Sequence, residues 1–232
     1  MRVLRPFLLA LLLVSPFTQA FELLPMVSFF SDHGAKSEQF FQINNTTGLP
    51  LPLEISVKER SIVGDEEETL KDTDDFFIFP PQALIPPGKT QMVKVKYLGA
   101  PLTSAKSYRV VFSQLPIKDE EKHSSIKMLF QIGALVFVSP DNAIATLDAS
   151  VSTKGKNAPE LTLKNVGTGV AVIPDFDLNA KTNKGNHVWH WDQIKQLFNR
   201  QFLVPGESAT VSVKSLLPAG ETLSNVTVKG EQ

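Results

Sequence analysis

Apolar and polar residues take turns along most of this chain. In "EQFFQINN", "LPLEISVKE", "DFFIFPP", "TQMVKVKYL" and "SYRVVFSQLP" the β-branched and aromatic residues recur at near-period-two spacing. Successive side chains of an extended strand point to opposite faces, so this pattern buries one face and leaves the other wet. Clusters of Pro, Gly, Asn and Asp cut the runs apart roughly every ten residues, which is the punctuation of an antiparallel sandwich. Only "WDQIKQLFNRQ", residues 191–201, is briefly helical in pattern, and its place between predicted strands makes a short connecting turn an equal reading.

Residues 1–20 break the pattern. They hold Arg2 and Arg5, an unbroken apolar run from Phe7 to Val14, and the small residues Thr18 and Ala20 before an expected cut. That is the layout of a secretory signal peptide, and its apolar run is too short to cross a bilayer as a helix. The mature chain is expected to begin near Phe21 and to be soluble outside the cytoplasm. Removing Arg2 and Arg5 from the 23 basic residues leaves 21 against 24 acidic ones, a formal charge of about −3. Such a balance offers no basic excess for nucleic acid or for insertion at an anionic membrane surface. Cys is absent, which excludes disulfides, thiolate nucleophiles and Cys-type metal sites. Stability must come from packed cores, most naturally in two domains of ~100 residues each.

The second half repeats the first in outline. "QINNTTGLPLPLEI" is echoed by "LKNVGTGVAVIPDF", and "IPPGKTQMVKV" by "LVPGESATVSV". In each half a strand ends in Asn (Asn45, Asn165) before a Gly-containing turn, and a later Pro-Gly turn (Pro87, Pro205) launches an alternating strand. Two β-sandwich domains of one type are expected, residues 21–140 and 141–232, joined near "SPDNA" with Pro140 stiffening the linker.

Little in the chain suggests catalysis. His33, His123, His187 and His190 are scattered, no Ser stands in a nucleophile-elbow context, and no cofactor motif is present. "HVWHWD" pairs His187 with His190 beside Trp189, Trp191 and Asp192, but a metal would need a third ligand that the sequence does not supply. An aromatic surface loop or strand is the expectation there. The acidic run "GDEEETLKDTDD", residues 64–75, lacks the Gly and terminal Glu of a calcium loop and reads as a solvated hairpin loop. Asn45-Thr46-Thr47 and Asn225-Val226-Thr227 are formal glycosylation sequons that say nothing of function.

"SSIKMLFQIGALVFVSP", residues 124–140, is the informative stretch. Ile126, Met128, Phe130 and Ile132 share one face of a strand, with Ser125, Lys127 and Gln131 opposite, whereas "ALVFV" is apolar on both faces. A strand that starts half exposed and ends doubly buried runs along a sheet margin into a core or domain junction. The row follows the acidic "KDEEKHSS" directly, and such an edge can act as a docking rail for a partner's strand.

These pieces, in order, resemble the PapD-like chaperones of the chaperone-usher pathway. The resemblance rests on the signal peptide, the two Ig-like halves, "FIFPPQALIPPGKTQMVKVKYLG", "SYRVVFSQLPI" and the alternating strand that ends at Pro140. It implies an all-β chain of two immunoglobulin-like β-sandwich domains joined by a short linker in a boomerang-like arrangement. It also implies a periplasmic location and no enzymatic activity. A member of that family would stabilise pilus or fimbrial subunits by donor-strand complementation, with Ile126, Met128, Phe130 and Ile132 inserted into the subunit, and would deliver them to an outer-membrane usher. When free, such a chaperone could cap its own edge by dimerising.

Conventional members grip the subunit's C-terminal carboxylate with an Arg on the first strand and a Lys on the donor strand. Here those alignments fall near Ser28 and on Leu135, neither of which can pair with a carboxylate. The archaic or alternative branch is similar in carrying Arg in a pattern like "YRVVFSQLP", which implies Arg109 as anchor, with Lys127 or Lys94 as a weaker second. Missing Cys and the modest loop "KDEEKHSS" favour the same branch. The other reading is a secreted β-sandwich adhesion or carbohydrate-binding module that uses Trp189 and Trp191 as a stacking platform.

Overall fold

The computed structural model describes residues 21–64, 67–116, 128–152 and 159–230. Ten strands make the first sandwich: β1 (Glu22–Leu24), β2 (Val27–Ser31), β3 (Glu38–Asn44), β4 (Leu51–Ser61), β5 (Thr69–Asp72), β6 (Phe76–Phe79), β7 (Gln82–Ile85), β8 (Thr90–Tyr97), β9 (Lys106–Gln114) and β10 (Gln131–Ser139). Eight more make the second: β11 (Leu147–Ser152), β12 (Glu160–Asn165), β13 (Ala171–Val172), β14 (Phe176–Thr182), β15 (Asn186–Trp189), β16 (Phe202–Leu203), β17 (Ser208–Ser212) and β18 (Leu223–Gly230). A single helical turn, α1 (Trp191–Ile194), follows β15. It is shorter than the helix-like sequence pattern because Leu197 N–H already bonds back to Ile194 O.

In the first sandwich one sheet runs β1-β3-β8-β6 and the other β2-β10-β9-β4-β5, with β7 also on β4. Alternation sets the register of each strand. On β4, Leu51, Leu53, Ile55 and Val57 are buried while Glu54 faces solvent. Val93, Val95 and Tyr97 of β8 meet Tyr108, Val110 and Phe112 of β9 in the same core. Burying such side chains is worth roughly 1.5–3 kcal/mol each, and a slip of one residue would turn the whole set outward. The second sandwich has a separate core around Leu161, Leu163, Ile173, Leu178, Trp189 and Leu203.

The echo between the two halves is a shared hydrogen-bond device. Asn45, 1% exposed, donates from Nδ2 to Leu49 O and Ile85 O, both at 2.8 Å. Asn165, fully buried, donates from Nδ2 to Gly169 O and Leu203 O, both at 2.7 Å. Each Asn Oδ1 accepts a backbone N–H two residues on, from Thr47 or Gly167. Each main-chain oxygen accepts from the glycine of the distant Pro-Gly turn, Gly88 or Gly206. Both glycines have positive φ, 66° and 87°, a conformation that costs glycine little and other residues more. One side chain therefore ties together three loops that otherwise leave buried carbonyls unpaired. The same burial removes Asn45 from use as a glycosylation acceptor in the folded chain.

The linker is clasped rather than bare. Ser31 Oγ donates to Asp141 Oδ1, and His33 bridges Asp32 through Nδ1 at 2.5 Å and Asp141 through Nε2 at 3.2 Å. The hydrogen bond to Asp32, then the charges of Asp141 and Asp32, raise the His33 pKa above its ordinary value. Asp32 is held low, first by the Leu102 N–H it accepts, against the opposing effect of burial.

Replacing Asn165 with Ala would strand the carbonyls of Gly169 and Leu203 and the N–H of Gly167. Unfolding in denaturant should show the second domain weakened by about 3 kcal/mol, since each buried orphan costs about 1–3 kcal/mol. The His33 clasp favours the imidazolium in the folded state, so its contribution is complete below the unfolded imidazole pKa and is lost as pH rises through the raised folded value. Titration of His33 by NMR should give a pKa above about 6.5, and Asp141→Asn should lower it.

Candidate functional site

β10 carries two different faces. Ala134, Val136 and Val138 point into the first core with no exposed surface. Phe137, on the other face, stacks on Phe29 of β2 with ring centroids 5.2 Å apart and meets Phe202 of β16, also at 5.2 Å. That aromatic cluster joins the two sandwiches and explains why "ALVFV" is apolar throughout. Ile132 continues the inward row at the margin of the core. Beyond it Phe130 and Met128 keep the same parity but run past the sandwich, and Met128 is 71% exposed.

The regular ladder starts later than the alternating sequence. β9 and β10 pair from Ser113–Gln131 to Lys106–Val138, and one further bond follows, from Gln114 N–H to Phe130 O at 2.9 Å. There the neighbour runs out, because Leu115 N–H turns to Pro52 O. On the side away from β9, β2 pairs only with Leu135 to Ser139. Among the described residues no strand pairs with the other side of Gln131 to Ala134, so the edge there is open. Ile126 and Lys127 lie outside the described residues.

Arg109 stands beside this edge. It is on the outward face of β9, opposite Leu135, and donates from Nε and Nη2 to the Glu68 carboxylate at 2.8–3.2 Å and from Nη1 to Gly133 O at 3.3 Å. Arg60 of β4 reaches the same carboxylate from Nε at 2.9 Å. Its Nη1 donates to Ser107 Oγ and, across the domain junction, to Glu207 Oε1 at 3.3 Å. Arg60, Arg109 and Glu68 line a cleft of about 300 Å³ with Leu135, Asn199, Arg200 and Phe202.

The two carboxylates respond differently to similar surroundings. Burial works against the charged form of Glu68, but hydrogen bonds from Arg109 and Arg60 outweigh it and keep the pKa below its usual value. For Glu207 burial dominates and raises the pKa, because the single bond from Arg60 and the N–H of Val204 offset it only in part.

The remaining residues singled out from the sequence are dispersed. Ser28 is buried on the core side of β2, and Leu135 faces the cleft without charge. Lys94 is on the other sheet, where it pairs with Glu38 at 2.8 Å and lies over the Phe40 ring. Trp189 is 4% exposed and Trp191 packs against the second core, so the expected aromatic surface is an interior one. His187 bonds to Glu221 and His190 to Asp177. Within the acidic run, Thr69–Asp72 form the exposed strand β5, which hairpins onto β4, while Glu68 departs from the solvated pattern by reaching the two arginines. Arg60, Glu68 and Glu207 carry no motif. The available hint was that Glu207 stands where the first half has Lys89, one residue after each Pro-Gly turn.

Two Ig-like sandwiches, an aromatic junction and an apolar strand edge next to an arginine-lined cleft define the two-domain architecture. Residues 30–143 match the family model of the N-terminal domain of PapD, a pili and flagellar-assembly chaperone. Among solved structures, the class 5 fimbriae chaperone CfaA is similar with a TM-score of 0.60 at 14% identity, covering 92% of this chain and 99% of that one. The chaperone-tip subunit complex of CsuC and CsuE from the archaic Csu pili of Acinetobacter baumannii gives 0.55 at 15%, with 90% and 97% covered. The Salmonella enterica SafA pilin complex with the SafB chaperone gives 0.57 at 10%, with 94% and 99% covered. No curated protein sequence matches the chain. Residues 30–143 thus form a domain of the PapD N-terminal family, and the two-domain fold of the chain is that of the chaperones it resembles.

Proposed function

We propose that this protein is a periplasmic chaperone that binds pilus or fimbrial subunits by donor-strand complementation and passes them to an outer-membrane usher. The observation that carries the proposal is the row Met128, Phe130 and Ile132. It continues the inward face of β10 beyond its own core, on an edge that no described strand covers on the side away from β9. An incomplete β-sandwich can dock a strand there, with main-chain bonds supplying affinity and alternate side chains filling its groove. CsuC and SafB occur in complexes with a tip subunit and a pilin, and that arrangement supports the same class of partner here. Ile126 is proposed to extend the row. A second copy of the chain is proposed to shield the edge when no subunit is bound.

Arg109 is the proposed anchor for the subunit's C-terminal carboxylate, because its guanidinium faces the cleft at the inner end of the open edge and already grips both oxygens of a carboxylate, Oε1 from Nε and Oε2 from Nη2. With no cation at Ser28 or Leu135, placement in the archaic or alternative branch follows. Lys127 remains a proposed second contact, whereas Lys94 has its own partner in Glu38.

Periplasmic extract from cells carrying the neighbouring genes provides the test. Wild type should bring down small β-rich proteins, and Met128→Asp or Phe130→Asp should lose them while changing the chaperone's own stability by less than about 1 kcal/mol, as exposed sites do. If these variants unfold, or retain the same material, the row belongs to the core. Arg109→Ala should weaken capture tenfold or more, since a charge-assisted hydrogen bond contributes about 1.5–3 kcal/mol. Unchanged complex yield would place the anchor elsewhere.

A further inference from the structure

Arg60 and Arg109 lie on adjacent strands and on the same outward face of their sheet. Arg109 pairs with Lys58, two residues from Arg60 on β4. Like charges so placed repel unless an anion sits between them. Here the anion is Glu68, whose carboxylate takes hydrogen bonds from three guanidinium nitrogens: Arg109 Nε and Nη2, and Arg60 Nε.

Glu68 has little else to hold it. It immediately precedes β5, all of whose residues are exposed, and its neighbour Glu67 is exposed too. No apolar packing of that arm would be lost if the side chain swung out. Arg60, in contrast, is fixed by Ser107 and Glu207, and its side chain is only 6% exposed. The seat is built and its occupant is loosely mounted.

Position and charge agree. Arg109 also donates to Gly133 O, which lies in the stretch of β10 that no described strand covers, so a strand running inward along that edge would end at the guanidiniums. Arg200 and Glu67 also line the cleft, and the charges of Arg60, Arg109 and Arg200 balance those of Glu67, Glu68 and Glu207. Exchanging one carboxylate for another preserves that balance, whereas adding a second would not.

We propose that Arg60 and Arg109 form one carboxylate seat, that Glu68 occupies it in the free chain, and that an incoming chain terminus binds by displacing Glu68. This rests on the reading of Arg109 as the subunit anchor and adds a second binding residue and an internal competitor. Capture then requires an exchange, and the apparent affinity is lowered by the fraction of time the seat is filled. A terminus that also pairs with β10 outcompetes Glu68; a stray carboxylate does not.

The probe is N-acetyl-Ala-Phe with a free carboxylate, compared with its C-terminal amide. Binding is followed through the Nε–Hε NMR signals of Arg60 and Arg109 in the purified full protein. In Glu68→Gln the acid should shift both signals with half-saturation at least tenfold below that of wild type, and the amide should shift neither. Glu68→Ala should behave alike, which separates loss of charge from any disturbance special to Gln. Equal half-saturation in wild type and both variants, with the acid still preferred to the amide, would overturn the role of Glu68 and leave the Arg109 anchor standing. A response from Arg109 alone would remove Arg60 from the seat. No preference for the acid in any of the three proteins would overturn the seat and the anchor together.

Discussion

Eight residue pairs join β9 to β10, from Lys106–Val138 at the domain junction to Ser113–Gln131 at the outer end. Both sandwiches and the cleft take their places from this ladder. Its inward residues, Tyr108, Val110 and Phe112 with Ala134, Val136 and Val138, build the first core. Its outward residues set Arg109 against Leu135 and present Phe137 to Phe202 of the second domain. Because side chains alternate with a period of two, one register fixes core, cleft and junction at once. Sliding β10 by one residue would put Phe137 in the core and Val136 in the cleft.

Much of this was legible in the sequence, and for definite reasons. Alternation in "LPLEISVKE" reports a half-buried strand because Leu51, Leu53, Ile55 and Val57 contact one core and nothing else. The Asn45 and Asn165 echo was visible because a buried amide that satisfies three loops requires a Gly turn soon after it and a Pro-Gly turn about forty residues on, and those residue types stand out. Apolar runs such as "ALVFV" announced two buried faces, though not which domain would cover the second.

What stayed hidden depends on pairing between distant positions. Arg60 and Glu207 are charged, and charged residues are usually solvent-facing; only the docking of one sandwich on the other buries them to 6% and 5%. Glu68 lies in a run that looks solvated throughout, and one side chain turning inward leaves no mark on composition. Trp189 misled for a related reason. It sits among His and Asp residues, yet strand alternation sends it into the core while its polar neighbours pair elsewhere.

The two ends of β10 also differ in what a substitution can disturb. At Phe137 the side chain has partners on β2 and β16, so truncation would leave a cavity between the domains and open the cleft itself. At Met128, 71% exposed among the described residues, little packing is there to be lost, and exposed apolar surface favours whatever covers it. The same logic separates Arg60 from Arg109: the first joins the domains through Glu207, and the second, which among the described residues bonds to Glu68 and one main-chain oxygen, can change partner without disturbing either core.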